Sequence, residues 1–355
     1  MPLSSPLIFI HYGPARYLRW TLEAARRTNP EKRIILLGDQ SNRHFAQGVA
    51  EFFFFEEFAT GKPLQEFERV FQVIQGEHHR YTKEGGVEKW LQFVFRRWFL
   101  INEFLKKEKI DSFWTFDSDT LLLESLDNVE NRFRHVEATT QCRGKCLNAW
   151  VGSQSLVERY VCCINELFND SIYLEKQKKR LLYDVTLSFN EMDAFEEFCH
   201  REKIKTCRAA QPLEGEAFDD ALAMGDGYEF VFQKGIVRNY MKRLWFSPQG
   251  KIYIKRADDQ QMIRLLSCNM SWMPDFFWKR LFLLTTPRIK KVSTLVEDSK
   301  LLREVDLTLP WLCKLRNFYR SLKRKLARIF HTDRYEEAAK ADGARRAMKA
   351  DDGCV

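Results

Sequence analysis

The sequence has no run of roughly twenty apolar residues, so no stretch reads as a helix that crosses a bilayer. Met-Pro-Leu-Ser-Ser-Pro leads straight into a strand-like run, without a basic region and long apolar core, so no secretory signal is expected. Neither a Gly-x-Gly-x-x-Gly fingerprint nor a Walker loop occurs, and ordinary dinucleotide and P-loop readings lose support. Gly-x-Ser-x-Gly is also missing, and no cysteine has a recognisable His/Asn context, which weakens serine and cysteine hydrolases. The 9 cysteines are odd in number and show no pairing framework. Cys142-x-x-x-Cys146 lacks a second pair at zinc-site spacing. They read as mostly buried thiols of a reducing compartment.

What is present is apolar bulk and positive charge. Hydrophobic residues make up 45% of 355, with 29 Phe, enough for a large core. The formal net charge of +8 suits an anionic partner: phosphate, nucleic acid or an acidic membrane face. No nucleic-acid-binding module is recognisable, so no nucleic-acid partner is expected.

Phe113-Trp114-Thr115-Phe116 runs directly into Asp117-Ser118-Asp119-Thr120. The first half reads as a short buried strand. Acids at the end of such a strand lie where open α/β sheets bind ligands. Two carboxylates this close repel each other, and a hard divalent cation is the usual reason to keep both. Two solvated loop acids would give the same tripeptide. Its place after four bulky residues favours the metal.

Leu7–Tyr12 reads as a strand ending at Gly13-Pro14, Tyr17–Arg27 as a helix stopped at Asn29-Pro30, and Ile34–Leu37 as a second strand ending at Gly38-Asp39. Strand, helix, strand implies a parallel sheet, which places His11, Tyr12, Gly13 and Asp39 at its ligand-binding end. As plain turn residues they would look no different. Glu88–Lys107 is an amphipathic helix so rich in apolar residues that both faces must be packed. Arg97 sits on one of those faces and needs an anion, either a structural carboxylate or a phosphate. Glu51–Phe58 reads as a possible third strand, and His78-His79 as loop. Asn148–Ser153 reads as a small-residue turn leading into a helix over Leu156–Phe168. Tyr183–Phe198 carries Asp184, Glu191 and Asp193, with Phe189, Met192, Phe195 and Phe198 on a helical apolar face. A general base could come from this stretch. From Trp311 to Phe330 an apolar face alternates with Lys and Arg, the pattern of an interfacial helix on anionic lipid. A packed helix with a solvated basic face is the alternative. Beyond Arg334 the composition is that of a disordered tail.

In their order, these pieces resemble metal-dependent glycosyltransferases of the GT-A, nucleotide-diphospho-sugar transferase fold, of the kind that builds bacterial capsules and surface glycans. The resemblance rests on Leu7–Gly13, Gly38-Asp39, Arg97-Trp98-Phe99-Leu100, Asp117-Ser118-Asp119, Asn148 with Gly152, Glu191-Met192 and Gly250. It spans roughly residues 7–270, and only Asp-x-Asp and the Arg-Trp-Phe run are specific. It implies an α/β fold with a GT-A-like, Rossmann-type mixed sheet flanked by helices. The expected organisation is a catalytic domain over 1–285, a basic amphipathic helical extension over 286–333 and a tail over 334–355. Asp119 would ligate Mn²⁺ or Mg²⁺, and Asp117 would share the metal or touch the ribose. His11, Tyr12, Gly13 and Asp39 would hold the nucleoside of a UDP-sugar. Arg97 would face the phosphates or brace the Asp-x-Asp loop. Glu191, or else Asp193, would serve the acceptor as base. The acceptor would be a glycan or lipid-linked, and the chain would be cytoplasmic, peripheral on the inner membrane face through its basic helix. One departure stands out. The family's late His-containing segment corresponds to Leu266–Trp272, which has no His, so Cys268 or Asn269 would substitute or the contact would be missing.

Two other readings compete. A haloacid-dehalogenase-like phosphatase also uses Asp-x-Asp after a strand, but it wants Thr or Val where Leu121 stands and places the motif near the domain's start. A non-catalytic membrane-surface scaffold would use the basic C-terminal helix alone.

Overall fold

The computed structural model describes residues 5–76, 86–232, 240–286 and 302–304. His78-His79 and nearly all of the basic stretch after residue 286 lie outside them. The described residues fall into two units. The larger takes in everything but Phe232 and Tyr240.

Its centre is a seven-stranded sheet. In chain order come β1 (Leu7–Ile10), α1 (Leu18–Thr28), β2 (Ile34–Gly38), the single turn α2 (Arg43–Ala46), β3 (Glu51–Phe54) and α3 (Lys62–Val70). Then follow α4 (Gly86–Glu108), β4 (Phe113–Thr115), β5 (Thr120–Leu122), β6 (Ala138–Gln141) and β7 (Cys146–Val151). The order across the sheet is β3-β2-β1-β4-β7-β6, with β8 (Thr206–Arg208) at the far edge. The first four run parallel, while β7 is antiparallel to β4 and β6 to β7. β1, β2 and β4 are buried along their whole length, as expected of strands covered on both faces. Two expectations are corrected here. Glu51–Phe58 is a strand only to Phe54 and then turns into a short 3-10 helix. Asn148–Val151 is the inner part of strand β7 and not a turn.

Helices cover both faces. α4 packs into an aromatic cluster with Phe67, Phe95, Phe99, Phe168 and Phe189, whose rings meet at 4.9–6.0 Å. Such pairs contribute about 0.5–1.5 kcal/mol each beyond their burial, which accounts for the heavy use of Phe. α5 (Gln154–Asn169), α6 (Ser171–Tyr183) and α7 (Glu191–Glu202) follow β7. The helix expected over 183–198 thus starts later, because Asn190 caps α7 and accepts from the Met192 amide, and Asp184 lies in the connection.

Short strands form the remainder: β9 (Glu216–Ala217), β10 (Phe230–Phe232), β11 (Tyr240–Lys242), β12 (Trp245–Phe246), β13 (Ile252–Lys255), β14 (Met262–Leu265) and β15 (Ser267–Asn269). Next come α8 (Asp275–Leu284) and β16 (Arg303–Glu304). A second sheet has the order β16-β12-β13-β14-β9. β15 leaves it to pair antiparallel with β5, Asn269 opposite Thr120, and so delivers the stretch after 269 to the Asp-x-Asp loop. No described helix is long and apolar enough to cross a membrane. All seven described cysteines are free.

Candidate active site

The Asp117–Asp119 loop projects from the carboxyl end of β4, beside the turn that follows β1. Ser118 anchors it. Its Oγ lies 2.8 Å from His11 Nδ1 and 3.4 Å from Tyr17 Oη, and its carbonyl accepts from Thr21 Oγ1 at 2.8 Å. The β1 turn is held in the same way. The Gly13 amide donates to Asp39 Oδ2, and Ser41 donates to Asp39 Oδ1 through its amide (2.8 Å) and its hydroxyl. Gly13 has φ +76, which suits glycine. His11, Gly13 and Asp39 therefore meet around one turn, and Tyr12 stands half-exposed above Phe93, ring centroids 4.3 Å apart.

Arg97 answers the question its position raised. It reaches from α4 to donate through Nη1 to Asp117 Oδ1 at 2.8 Å and through Nη2 to Glu191 Oε1 at 3.2 Å. Its side chain is only 13% exposed and that of Glu191 10%. Burial opposes the charge on Arg97, but Asp117 and Glu191 outweigh it and push its pKa up. Arg97 thus bridges Asp117 of the Asp-x-Asp loop and Glu191 at the start of α7. Tyr160 Oη, donating to the Glu191 carbonyl at 2.7 Å, fixes the start of α7.

Four buried polar atoms of these residues and of Asn148 have no protein partner. Asp119 Oδ1, Glu191 Oε2, Arg97 Nε and Asn148 Nδ2 are buried and make no hydrogen bond. Arg97, Asp117 and Asn148 line one void of about 10 Å³. Burial, then the charge of Asp117, pushes Asp119 up to about 6. Burial likewise lifts Glu191 to about 7, against the pull of Arg97. Asp193, the alternative acid, is committed elsewhere. Arg180 donates to both its oxygens at 2.8 and 2.9 Å, and it closes the capping box of α7.

The stretch without a His lies beside the Asp-x-Asp loop. Cys268 is fully buried, its backbone paired with Leu121. Asn269 turns its Oδ1 to Ser271. The residue that reaches the loop is Ser271, whose Oγ donates to Asp119 Oδ2 at 2.8 Å, while the Met270 amide donates to the Asp119 carbonyl. Ser118, Ser271, Tyr17 and Thr21 were missed because single hydroxyls carry no spacing signal. Pairing between β5 and β15 is what brings Ser271 in.

A divalent cation fits the donors present. The charge of Asp117 adds to burial in raising the proton affinity of Asp119, which has a buried oxygen with no partner. No cluster of three or more His, Cys, Asp or Glu occurs among the described residues. Two carboxylates are what Mg²⁺-type sites commonly use when substrate phosphates and water complete the shell.

No family model matches the chain, and no curated protein matches it. Among solved structures it is similar to the PaToxG glycosyltransferase at 9% identity, over 57% of this chain and 69% of that one, with a TM-score of 0.33. It is also similar to the galactosyltransferase LgtC solved with donor and acceptor sugar analogs, at 11% identity over 83% and 99% of the two chains and a TM-score of 0.37. An active-site mutant of LgtC gives the same identity and coverage and a TM-score of 0.39. Likenesses this distant establish neither family nor activity, so function has to rest on the residues.

Proposed function

We propose that this chain is a metal-dependent glycosyltransferase. It would move a sugar from a nucleotide-diphosphate sugar, a UDP-sugar, to a glycan or lipid-linked acceptor in surface polysaccharide synthesis. One observation carries this reading: Asp119, a partly buried acid with one buried and unpartnered oxygen, sits beside Asp117 at the carboxyl end of a central strand. Asp117 and Asp119 would hold Mn²⁺ or Mg²⁺. When bound, the cation supplies Lewis-acid neutralisation of the departing diphosphate.

The other residues have separable tasks. His11, Tyr12, Gly13 and Asp39 form the turn that would receive the nucleoside. Arg97 would hold Asp117 in place through their 2.8 Å hydrogen bond. Glu191 carries a carboxyl tuned to about 7, with Oε2 unpartnered, and is suited to take the proton of an acceptor hydroxyl. Asp193 orients the helix that presents it. The basic stretch over 286–333 would hold the enzyme on the inner face of the cytoplasmic membrane.

Thermal unfolding with nucleotides tests the donor and metal together. Saturating UDP with Mn²⁺ should raise the midpoint by about 4 °C, and chelation should abolish the rise. No stabilisation by any nucleoside diphosphate with Mn²⁺ would overturn the proposal.

A further inference from the structure

α6 has an outer face that the proposed chemistry does not use. Tyr173, Leu174 and Leu181 turn inward and are buried. On the opposite side Ile172 is 84% exposed, Leu182 77% and Tyr183 93%. Ile172, Lys176, Lys179 and Tyr183 follow each other at spacings of four, three and four, so they form one stripe along the helix. Leu182 lies beside the stripe, and half-exposed Leu187 extends the apolar surface into the connection toward α7. The only acid on the helix, Glu175, is paired with Lys178, and Arg180 is paired with Asp193. Lys176 and Lys179 are exposed and form no ion pair among the described residues.

The hydrogen bond from Lys178 lowers the Glu175 pKa, and the charge of Lys179 lies close enough to add to it; against Lys176, Lys178 and Lys179 this one acid leaves a net positive face. Large apolar side chains flanking exposed lysines are what an interfacial helix presents to a bilayer. The apolar groups enter the headgroup boundary, and the lysines reach anionic headgroups on their long stems. A protein partner fits less well, because lysine is depleted from the centre of protein interfaces.

We propose that the outer face of α6 is a contact surface for an anionic lipid bilayer. This surface is independent of the basic stretch after residue 286 and does not depend on the transfer reaction. It lies on the element that leads into Glu191, so a bilayer seated there would lie against the α6–α7 side of the site.

The test is co-sedimentation of the full chain with vesicles of phosphatidylcholine alone and with phosphatidylglycerol added. The wild type should bind only the anionic vesicles. Both Leu182→Ser with Tyr183→Ser and Lys176→Glu with Lys179→Glu should lower that binding about fivefold or more. Neither pair touches the core, and unchanged circular dichroism and thermal midpoint verify this. Wild-type binding by both double variants would overturn the proposal, as would equal binding to neutral vesicles. So would a concentration-dependent dimer, with no vesicle binding, that the same substitutions dissolve.

Discussion

Arg97 is the residue on which the local electrostatics turn. Replacing it with Met leaves buried Glu191 and partly exposed Asp117 without their cation, which should cost about 3 kcal/mol in urea unfolding. Arg97→Met combined with Asp117→Asn and Glu191→Gln should recover much of that loss. Lys in its place should not restore wild-type stability, since a single ammonium cannot fork between two carboxylates. Arg97 was legible in the sequence because a charge on a packed helical face demands a partner; which partner was not, since Glu191 lies 94 residues away. His11 gives a second prediction. Burial, opposed by Asp39, lowers its pKa from 6.5 to about 4. The unfolded chain therefore takes up this proton at higher pH than the folded one. The contribution is fully present above 6.5 and is lost as the pH falls through 6.5 toward 4, by up to about 3 kcal/mol. His11→Asn, which can keep a polar contact with Ser118, should flatten that slope in unfolding measured across the range.

At the scale of elements, strands covered on both faces were the easiest to read. Leu7–Ile10, Ile34–Gly38 and Phe113–Thr115 are continuous apolar runs whose burial leaves no alternative. β7 was misread as a turn because Asn148, Ala149 and Gly152 are small, and Ala149 has φ 69 inside the strand. Gly152 ends that strand where the chain has no room. Its amide donates to the Glu137 carbonyl at 2.8 Å, and an added Cβ would stand 2.9 Å from the same oxygen. Gly152→Ala should therefore destabilise by about 1–3 kcal/mol, seen as a lower urea midpoint with an unchanged slope. α6 escaped notice for a different reason. Its exposed face carries Ile172, Leu182 and Tyr183, which blurs the apolar period that marks a surface helix.

For the whole molecule, a parallel half-sheet was implied by the first forty residues, but the place of β7 as a strand antiparallel to both β4 and β6, and of β8 parallel to β6 at the edge, was not. Nor was the return of β15 to β5, a pairing across some 150 residues that places Ser271 on Asp119. Pairings that distant leave no periodic trace in either strand. They nevertheless decide how the site is closed, because one loop carries both acids and the rest of the chain is folded to hold it. The most direct test of that claim is turnover of UDP-sugars with Mn²⁺ by Asp119→Ala, followed as UDP release, with urea unfolding of the same protein alongside. Turnover should fall about a hundredfold or more while the unfolding midpoint stays within error of wild type. Turnover equal to wild type would contradict metal-assisted transfer at this loop.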